Sequence, residues 1–487
     1  MPSPPYGAAG SALFADYYSL TMAQGYWKLA EGRRAVFEVF FRKQPFGGGY
    51  AVFAGLEPLL NSLAAHSFSD DDIEYLLGLG VFEEGFVKYL RDFRFSGSLW
   101  AMDEGTMVFP YEPIIRVEGT LAECQLVEGM VLNAINFQTL VATKARRVWL
   151  ASGKGAVAEM GLRRAQGPDG AMSASRAAFI GGARGTSNVL AGKTFGIPVV
   201  GTMAHSWVMS FASEAEAFEA YARMYPRDCV FLIDTYNTLK TGIHSAIKVG
   251  KVLMKQGKTF GVRLDSGDIH YLSIEARRLL DAAGLEHATI SASGDLDEFV
   301  VQTLAGAGAP VDVWGVGTRM VTGGGDPSLA GVYKMAACED ASGHMTPVMK
   351  FSDNPEKTTN PGVKQVWRIR DGSGVPLADV LALDSPEPAE RFERGVSYRF
   401  RHPAADYRHF RHVIETDPEP LLKKRLESGA LCASLPPLSE VRASSLADFE
   451  KFDSSYKRLL NPHAYKVSIS ERLCELKLEL IRKHFGD

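Results

Sequence analysis

A series of short apolar runs, each followed at once by glycine or polar residues, constrains the fold of this chain more than any other feature. The runs recur at roughly strand-plus-helix spacing, at residues 156–158, 197–200, 230–233, 260–262, 289–290 and 311–314. This alternation predicts a parallel sheet, and the short repeat without a switch point favours closure into a barrel. Polar groups that follow parallel strands then converge on one face of the barrel, where barrel enzymes carry out their chemistry. The pattern therefore predicts an enzyme and indicates where its site lies.

The length and the change of pattern along the chain predict three domains. A chain of 487 residues corresponds to about three domains. Residues 1–15 are rich in Pro, Gly, Ala and Ser and are expected to lack regular structure. We expect an N-terminal α+β domain at residues 1–150, an irregular α/β barrel at 151–385 and a C-terminal extension at 386–487.

The charge and the cysteine content of the chain indicate which binding partners and which cellular compartment to expect. The net charge of −4 and the pI near 6.3 give no electrostatic argument for binding nucleic acid or a membrane surface. The five cysteines are far apart and form no C-x-x-C pair, which fits a reducing compartment. No basic residue precedes Lys28, which argues against a secretory signal, and no apolar run approaches the ~18 residues of a spanning helix. These features predict a cytoplasmic protein.

His205 is the first candidate for chemistry. A lone histidine is more often structural than catalytic, but His205 closely follows the apolar run at residues 197–200. The hydroxyls of Thr202 and Ser206 flank it and are expected to orient its ring. Because imidazole titrates near neutral pH and acts as a base or a nucleophile, this placement favours a catalytic role.

Arg263, Asp265 and Asp268 follow a later run and form the second candidate group. A local ion pair at a strand end is the simpler interpretation, and such pairs contribute little. The functional interpretation is a guanidinium that binds a carboxylate or phosphate in a bidentate manner. A neighbouring carboxylate would hold Mg²⁺ or sugar hydroxyls. The adjacent Ser266 and Gly267 permit a ligand to approach the backbone closely, which favours the functional interpretation.

Two small loops, residues 293–295 (SGD) and 315–318 (GVGT), follow neighbouring runs. A single glycine at a turn usually reflects only the backbone conformation that the turn requires. Two loops at adjacent strand ends are typical of the phosphate site that barrels build late in the sheet, with N–H groups at a helix start as donors. Residues 159–164 (EMGLRR) add two arginines that would recognise an anion, and the small polar residues 182–188 would line the same pocket.

Several common catalytic signatures do not occur. The chain has no complete G-x-x-x-x-G-K-[ST] phosphate loop, no nucleophile elbow and no H-x-H or H-E-x-x-H metal motif. Cationic groups, two phosphate-type loops, carboxylates and a histidine fit a sugar-phosphate substrate better than a peptide or a lipid.

These motifs together identify a family. From Phe14 to the C-terminal helix the chain closely resembles the nicotinate phosphoribosyltransferases, which are type II phosphoribosyltransferases. The matching segments are residues 16–22 (DYYSLTM), 42–46 (RKQPF), 159–164, 201–206 (GTMAHS), 263–268 (RLDSGD), 315–318 and 351–358 (FSDNPEKT). The resemblance implies an N-terminal α+β domain, an irregular (β/α) barrel and a C-terminal extension.

The resemblance also implies an activity. Nicotinate and phosphoribosyl diphosphate would give nicotinate mononucleotide and diphosphate, with coupled ATP hydrolysis and Mg²⁺, as in an ATP-coupled ligase of NAD salvage. The implied homodimer has composite sites and no membrane or nucleic-acid partner.

The resemblance also implies roles for individual residues. Tyr18 would stack on the pyridine ring across the dimer interface, and Arg163, Ser187, Thr202 and Arg263 would surround nicotinate or its phosphates. His205 would be the phosphorylated histidine, with Asp265 and Asp295 near ribose hydroxyls and Mg²⁺. Gly294, Asp295, Gly317 and Thr318 would bind the 5′-phosphate, and no resident metal site is expected.

Two alternatives remain open. The related nicotinamide-using family has an aspartate where this chain has Ser187, because an amide N–H₂ needs an acceptor. An aspartate would repel a carboxylate substrate, so Ser187 favours nicotinate. The second alternative is a catalytically silent homologue that only binds nucleotides, and the presence of His205, Arg263 and Asp265 together argues against it.

Overall fold

The computed structural model describes residues 11–30, 32–227, 229–385 and 390–486. The chain forms two compact units. The terminal unit comprises the described residues of Met1–Leu140 and Ser328–Asp487, and the barrel unit comprises those of Val141–Pro327. Residues 1–10 and the start of the expected C-terminal extension at residue 386 lie outside the described residues. The three domains expected from the sequence stay a prediction.

Among the described residues, strands and helices alternate between residues 156 and 316, whereas the strands between residues 332 and 431 follow one another without an intervening α-helix. The strands are β1 (Arg34–Phe40), β2 (Ala51–Val52), β3 (Ser98–Ala101), β4 (Met107–Val108), β5 (Ile115–Thr120), β6 (Ala156–Glu159), β7 (Gly185–Thr186), β8 (Cys229–Leu232), β9 (Phe260–Leu264), β10 (Thr289–Ala292), β11 (Val313–Val316), β12 (Val332–Glu339), β13 (Met345–Pro347), β14 (Val363–Arg370), β15 (Pro376–Ser385), β16 (Ser397–His402), β17 (Ala405–Val413), β18 (Glu419–Pro420), β19 (Lys423–Glu427), β20 (Ala430–Leu431) and β21 (Lys466–Ile469). The α-helices are α1 (Tyr17–Leu29), α2 (Leu56–Ala64), α3 (Asp70–Gly78), α4 (Glu84–Arg91), α5 (Leu121–Leu126), α6 (Glu128–Ala151), α7 (Gly167–Gly181), α8 (Val189–Phe195), α9 (His205–Met209), α10 (Glu214–Met224), α11 (Ile243–Lys255), α12 (Ile269–Ala282), α13 (Glu298–Gly306), α14 (Thr318–Val321), α15 (Leu438–Lys451), α16 (Ser454–Lys457) and α17 (Glu471–Phe485).

The barrel unit contains a parallel sheet in the order β7-β6-β11-β10-β9-β8. Its strand pairings are parallel throughout the described residues, and helices α7 to α13 lie between its strands in sequence. The order is that of a barrel opened beside β8, so the sheet is a curled half-barrel. The predicted α/β class and irregular barrel are therefore confirmed.

The predicted strand at residues 197–200 is wrong. That segment makes only one parallel bridge, from Val199 to Thr186 of β7. Thr186 N donates to Pro198 O at 3.0 Å and Val200 N donates to Thr186 O at 2.9 Å. Pro198 has no N–H, so the ladder to β7 cannot continue on the N-terminal side of Val199. The sheet thus ends in this segment on one side and in β8 on the other, and no backbone ladder joins the two in the described residues.

The helices of the barrel unit cover the sheet through apolar stripes. In α11 the buried residues Ile243, Ala246, Val249, Gly250 and Leu253 recur at helical spacing and face the core. Gly250 lies against the ring of Phe260 in β9, and a Cβ at position 250 would come within 2.2 Å of Phe260 Cζ. Helix and strand approach each other this closely because position 250 carries no side chain.

The terminal unit is built from both ends of the chain. Its seven-stranded antiparallel sheet has the order β13-β12-β1-β5-β3-β19-β20. The three central strands precede residue 140, and the two strands on each side of them follow residue 328. A second sheet, in the order β17-β16-β21-β15-β14-β18, is wholly C-terminal in origin. Val39, Leu99, Ile115, Val117 and Leu426 lie in one core cluster of the unit. The C-terminal strands thus complete a core that the N-terminal strands begin.

No helix among the described residues is long and apolar enough to cross a membrane.

A Gly250→Ala substitution should destabilise the protein by about 1–3 kcal/mol, because the added methyl group overpacks the contact with Phe260. Gly306→Ala is the matched control, since Gly306 ends α13 and a methyl group added there would have no atom within 4 Å. That control should change stability by less than about 1 kcal/mol and in the stabilising direction. Urea unfolding of both variants measures the difference, and equal midpoints would contradict the packing argument.

Candidate functional site

The carboxyl ends of the parallel strands surround a cavity of about 630 Å³. Its walls come from the segments that follow β6, β7, β9, β10 and β11 and from the segment after residue 200, all in the barrel unit. The lining residues are Met160, Arg163, Arg164, Ser187, Gly201, Thr202, Met203, Ala204, His205, Arg263, Asp265, Ser293, Gly294, Asp295, Leu296, Gly315, Gly317, Thr318 and Arg319. The cavity lies where the rule of converging strand ends places it.

The structure brings the predicted site residues of this unit together in one cavity. They are Arg163, Ser187, Thr202, His205, Arg263, Asp265, Gly294, Asp295, Gly317 and Thr318. Tyr18 lies elsewhere, on α1 of the terminal unit, with 47% of its surface exposed. Partial burial and the nearby Glu128 carboxylate raise the pKa of Tyr18 to about 12, so its hydroxyl is neutral at physiological pH.

Arg263 spans the open side of the half-barrel. It lies in β9, and its guanidinium donates to Thr202 Oγ1 and, from Nη2 at 3.1 Å, to Met203 O. Burial lowers the pKa of Arg263, while Asp265 and Asp234 oppose that shift. The side chain stays cationic, because the ordinary pKa of arginine is far above neutrality. Arg263 Nε has no partner among the described residues, so the guanidinium retains a donor.

His205 begins α9, and its ring is held from two sides. Its Nδ1 lies 3.1 Å from Thr235 Oγ1, and its Nε2 lies 3.8 Å from Asp265 Oδ2. The expectation that Thr202 and Ser206 orient the ring is wrong. Thr202 instead accepts from Arg263 and donates to its neighbour's carbonyl oxygen, Met203 O. The ring is 40% exposed, which leaves it accessible to a ligand.

Three strand ends are tied together by carboxylates. Asp234, two residues after β8, accepts from Asp265 N at 2.9 Å and from Ser266 Oγ at 2.6 Å. Asp265 in turn accepts from Ser293 Oγ, beyond the end of β10. The buried Asp234 Oδ1 has no partner among the described residues. The carboxylates therefore fix the loops of β8, β9 and β10 relative to one another.

The two glycine loops differ from each other. Gly294 has φ +92°, and a Cβ there would come within 2.2 Å of Asp265 O, so only glycine fits this turn. The helix after it begins at Glu298, and Asp297 Oδ1 already accepts from its N–H groups at Phe299 and Val300. Gly317 directly precedes α14, whose first N–H groups have no side-chain cap. The predicted backbone donors at a helix start are therefore found after β11 rather than after β10.

Three cations lie at the mouth of the cavity. Arg163 and Arg164 belong to a 3-10 turn after β6, and Arg319 is in the first turn of α14. All three are exposed. Asp234 and Thr235, which contact Asp265 and His205, directly follow the apolar run at residues 230–233, as the rule of polar residues after strands predicts. Arg319 was not predicted, because four residues separate it from the run at 311–314.

The described residues contain no group of three or more His, Cys, Asp or Glu side chains placed to hold a metal ion. Carboxylates that line the cavity are Asp265 and Asp295.

Three family models match consecutive parts of the chain. Residues 13–136 match the nicotinate phosphoribosyltransferase N-terminal domain, 156–290 the nicotinate phosphoribosyltransferase family and 363–477 the corresponding C-terminal domain.

Known proteins resemble the chain over nearly its full length. The nicotinate phosphoribosyltransferase of Bacillus subtilis is 42% identical over 474 residues, which cover 97% of this chain and 95% of that protein. The Homo sapiens nicotinate phosphoribosyltransferase is 36% identical and covers 96% of each chain. The crystal structure of human nicotinic acid phosphoribosyltransferase superposes with a TM-score of 0.82 at 32% identity, covering 96% of this chain and 99% of that one. On these matches and on the shared half-barrel, the chain belongs to the nicotinate phosphoribosyltransferase family.

Proposed function

We propose that this protein is an enzyme that joins nicotinate to phosphoribosyl diphosphate. The ring nitrogen of nicotinate bonds to C1 of the ribose while the bond from C1 to diphosphate breaks, which gives nicotinate mononucleotide and diphosphate. The observation that carries the proposal is the joint presence, in one cavity, of four arginines, the two glycine loops and the neighbouring His205 and Asp265. Membership of the family makes nicotinate the first substrate to test.

The carboxylate of nicotinate fits the side of the cavity that carries Arg163 and Ser187. The backbone N of Ser187 donates to Glu159 O at 2.8 Å, and Ser187 lines the cavity. The serine side chain is uncharged, so it does not repel a carboxylate. A guanidinium binds a carboxylate through charge-assisted hydrogen bonds that an amide substrate cannot replace. Arg263 and Thr202, joined to each other, would support the same substrate or its neighbouring phosphates. We infer that this wall selects the acid over the amide.

The 5′-phosphate and the ribose fit the adjoining wall, formed by the loops after β10 and β11. Gly317 and Thr318 offer the uncapped start of α14, and Gly294 and Asp295 form the adjoining turn. Asp265, held by Ser293, faces the place where ribose hydroxyls and positive charge at C1 would lie. An oxocarbenium-like transition state needs positioning and charge more than covalent help, and rigid loops supply both.

Mg²⁺ is proposed to enter with diphosphate and ATP. Asp265 and Asp295 line the cavity, and Asp234 Oδ1 beside them has no partner among the described residues. These carboxylate oxygens fit a hard cation that takes its other ligands from phosphates and water. When bound, the ion would neutralise phosphate charge as diphosphate leaves.

ATP hydrolysis is proposed to proceed through His205, which makes the enzyme an ATP-coupled ligase. An imidazole nitrogen of His205 would take the γ-phosphoryl group, releasing ADP, and water would later cleave the N–P bond to give phosphate. Thr235 and Asp265 hold the ring, and Arg263 would neutralise the phosphoryl charge. ATP then supplies driving force without donating a phosphate to the product.

The enzyme is proposed to act as a cytoplasmic homodimer with composite sites. Tyr17, Tyr18 and Met22 expose 56%, 47% and 39% of their surfaces on α1, an apolar face that a second copy would cover. Tyr18 of one copy would then stack on the nicotinate ring held by its partner. The cysteines form no disulfide within the described part of the chain, which supports a reducing compartment.

Substrate choice tests the main proposal. The enzyme should turn over nicotinate with a kcat/KM at least about 100-fold above that for nicotinamide, because a cation without its carboxylate partner loses a charge-assisted hydrogen bond. Ser187→Asp should lower kcat/KM for nicotinate by about 10- to 100-fold through like-charge repulsion. Ser187→Ala is the control that removes the hydroxyl without adding charge, and it should lose much less. Steady-state assays with each base, with and without ATP, give these values.

Comparable use of the two bases by the parent enzyme would contradict the choice of nicotinate. Absence of turnover with either base would instead favour a silent nucleotide-binding homologue.

Labelling with γ-labelled ATP tests His205. The parent protein should form an acid-labile, base-stable phosphoprotein, and His205→Ala should lose that label together with ATP hydrolysis. Transfer that does not depend on ATP should survive in His205→Ala, since the binding groups remain. His244→Ala is the control, because His244 is exposed on α11 and does not line the cavity. Undiminished label in His205→Ala would refute the assignment.

Subunit exchange tests the composite site. Tyr18→Ala and Arg163→Ala proteins should each be nearly inactive, while a refolded equimolar mixture should recover up to about a quarter of parent activity, since half the dimers are hybrids with one intact site. Arg263→Ala provides a second partner for the same mixture. Light scattering establishes the dimer in each sample. A monomer, or no recovery after demonstrated exchange, would count against the composite site.

A further inference from the structure

Glu159 is a buried carboxylate that the proposed chemistry does not use. It ends β6 and is 1% exposed. Burying a carboxylate is costly unless its oxygens are satisfied. Its Oε1 accepts from Gly161 N, and its Oε2 accepts from Thr186 Oγ1 and, at 2.8 Å, from Ser175 Oγ. Glu159 forms no ion pair with any described residue, so its charge is held by hydrogen bonds alone.

Two of these hydrogen bonds lead directly to the wall of the cavity. Gly161 precedes the 3-10 turn that carries Arg163, and a Cβ at position 161 would come within 2.3 Å of Val321 Cγ1. The turn is thus fixed between the Glu159 carboxylate and Val321. On the other side, Thr186 directly precedes Ser187, whose N donates to Glu159 O at 2.8 Å.

The network continues behind Ser187. The Thr186 hydroxyl donates to Glu159 and accepts from Asn188 N at 3.0 Å, and Asn188 Nδ2 donates to Ser175 Oγ at 3.3 Å. Asn188 in turn caps α8 by accepting from Ala191 N at 3.2 Å. All of these groups are buried, so water does not compete with them.

We propose that Glu159 is a positioning residue for base selectivity: it fixes Arg163 and Ser187 at the spacing that a pyridine carboxylate requires. The inference rests on the proposed function and deepens it. Glu159 does not line the cavity and does not touch substrate. It acts because one carboxylate joins both segments, so neither can shift without breaking a buried hydrogen bond.

Glu159→Gln is the most direct test. The amide keeps the volume but turns one acceptor oxygen into a donor, so it cannot accept from Gly161 N and from both hydroxyls at once. We expect KM for nicotinate to rise by about tenfold and the nicotinate-to-nicotinamide ratio of kcat/KM to fall by a similar factor. KM for phosphoribosyl diphosphate should stay within about twofold, since the side-chain hydrogen bonds of Glu159 run to Gly161, Ser175 and Thr186 and not to the glycine loops after β10 and β11.

Thr186 gives an independent test should Glu159→Gln fail to fold. Thr186→Val removes the donor to Glu159 at nearly constant volume and should change the same two quantities in the same direction. Thr186→Ser keeps the hydroxyl and should restore values close to those of the parent. Glu214→Gln is the matched control, because Glu214 is a buried glutamate of the barrel unit that does not line the cavity.

The outcomes separate the inference from the proposed function. If the parent enzyme does not turn over nicotinate, both are overturned. If the parent is active and folded Glu159→Gln keeps parental KM and selectivity, only the inference is overturned. A rise of both KM values by the same factor, with Thr186→Ser no better than Thr186→Val, would show a general structural role and would also overturn it.

Discussion

The side chain of Arg263 joins two parts of the barrel unit that the backbone leaves unjoined. The parallel sheet ends at β8 on one side and at the single bridge of Val199 on the other. Arg263, in the strand next to β8, donates to Thr202 and Met203 beyond that bridge. The contact between His205 and Thr235 crosses the same opening at 3.1 Å. Polar side chains therefore replace a backbone ladder at this position, and Thr202, Met203, His205 and Arg263 among them line the cavity.

This arrangement couples structure and binding. The segment after residue 200 and the end of β9 both line the cavity, so a ligand there would lie among groups that already hold hydrogen bonds. Arg263 contributes one face of its guanidinium to the fold and retains Nε as a free donor among the described residues. A group that is fixed before the ligand arrives loses little conformational entropy on binding. The same residue can thus support the fold and receive an anion.

Opposite charges have separate places in the site. The carboxylates of Glu159, Asp234 and Asp265 accept from backbone N–H groups or hydroxyls of neighbouring loops, and so they hold the loops together. The exposed arginines face the cavity mouth, where they are free to meet anionic substrates. The net charge of −4 does not oppose this, because a local cluster of cations dominates the potential inside a cleft.

The sequence by itself determined the fold class, the face that carries the site and most of the residues that line it. Apolar runs indicate buried strands, and the polar residues that follow them mark the carboxyl ends of those strands. Both signals are local in the sequence, so His205, Arg263 and the glycine loops could be assigned to the cavity. Tertiary structure alone decided the rest. Pro198 leaves the segment around Val199 with one bridge, Thr235 rather than Thr202 meets the ring of His205, and Asp297 caps the helix after Gly294. Each of these depends on how segments distant in sequence, or competing local hydrogen bonds, satisfy buried polar groups, and periodicity carries no information about that choice.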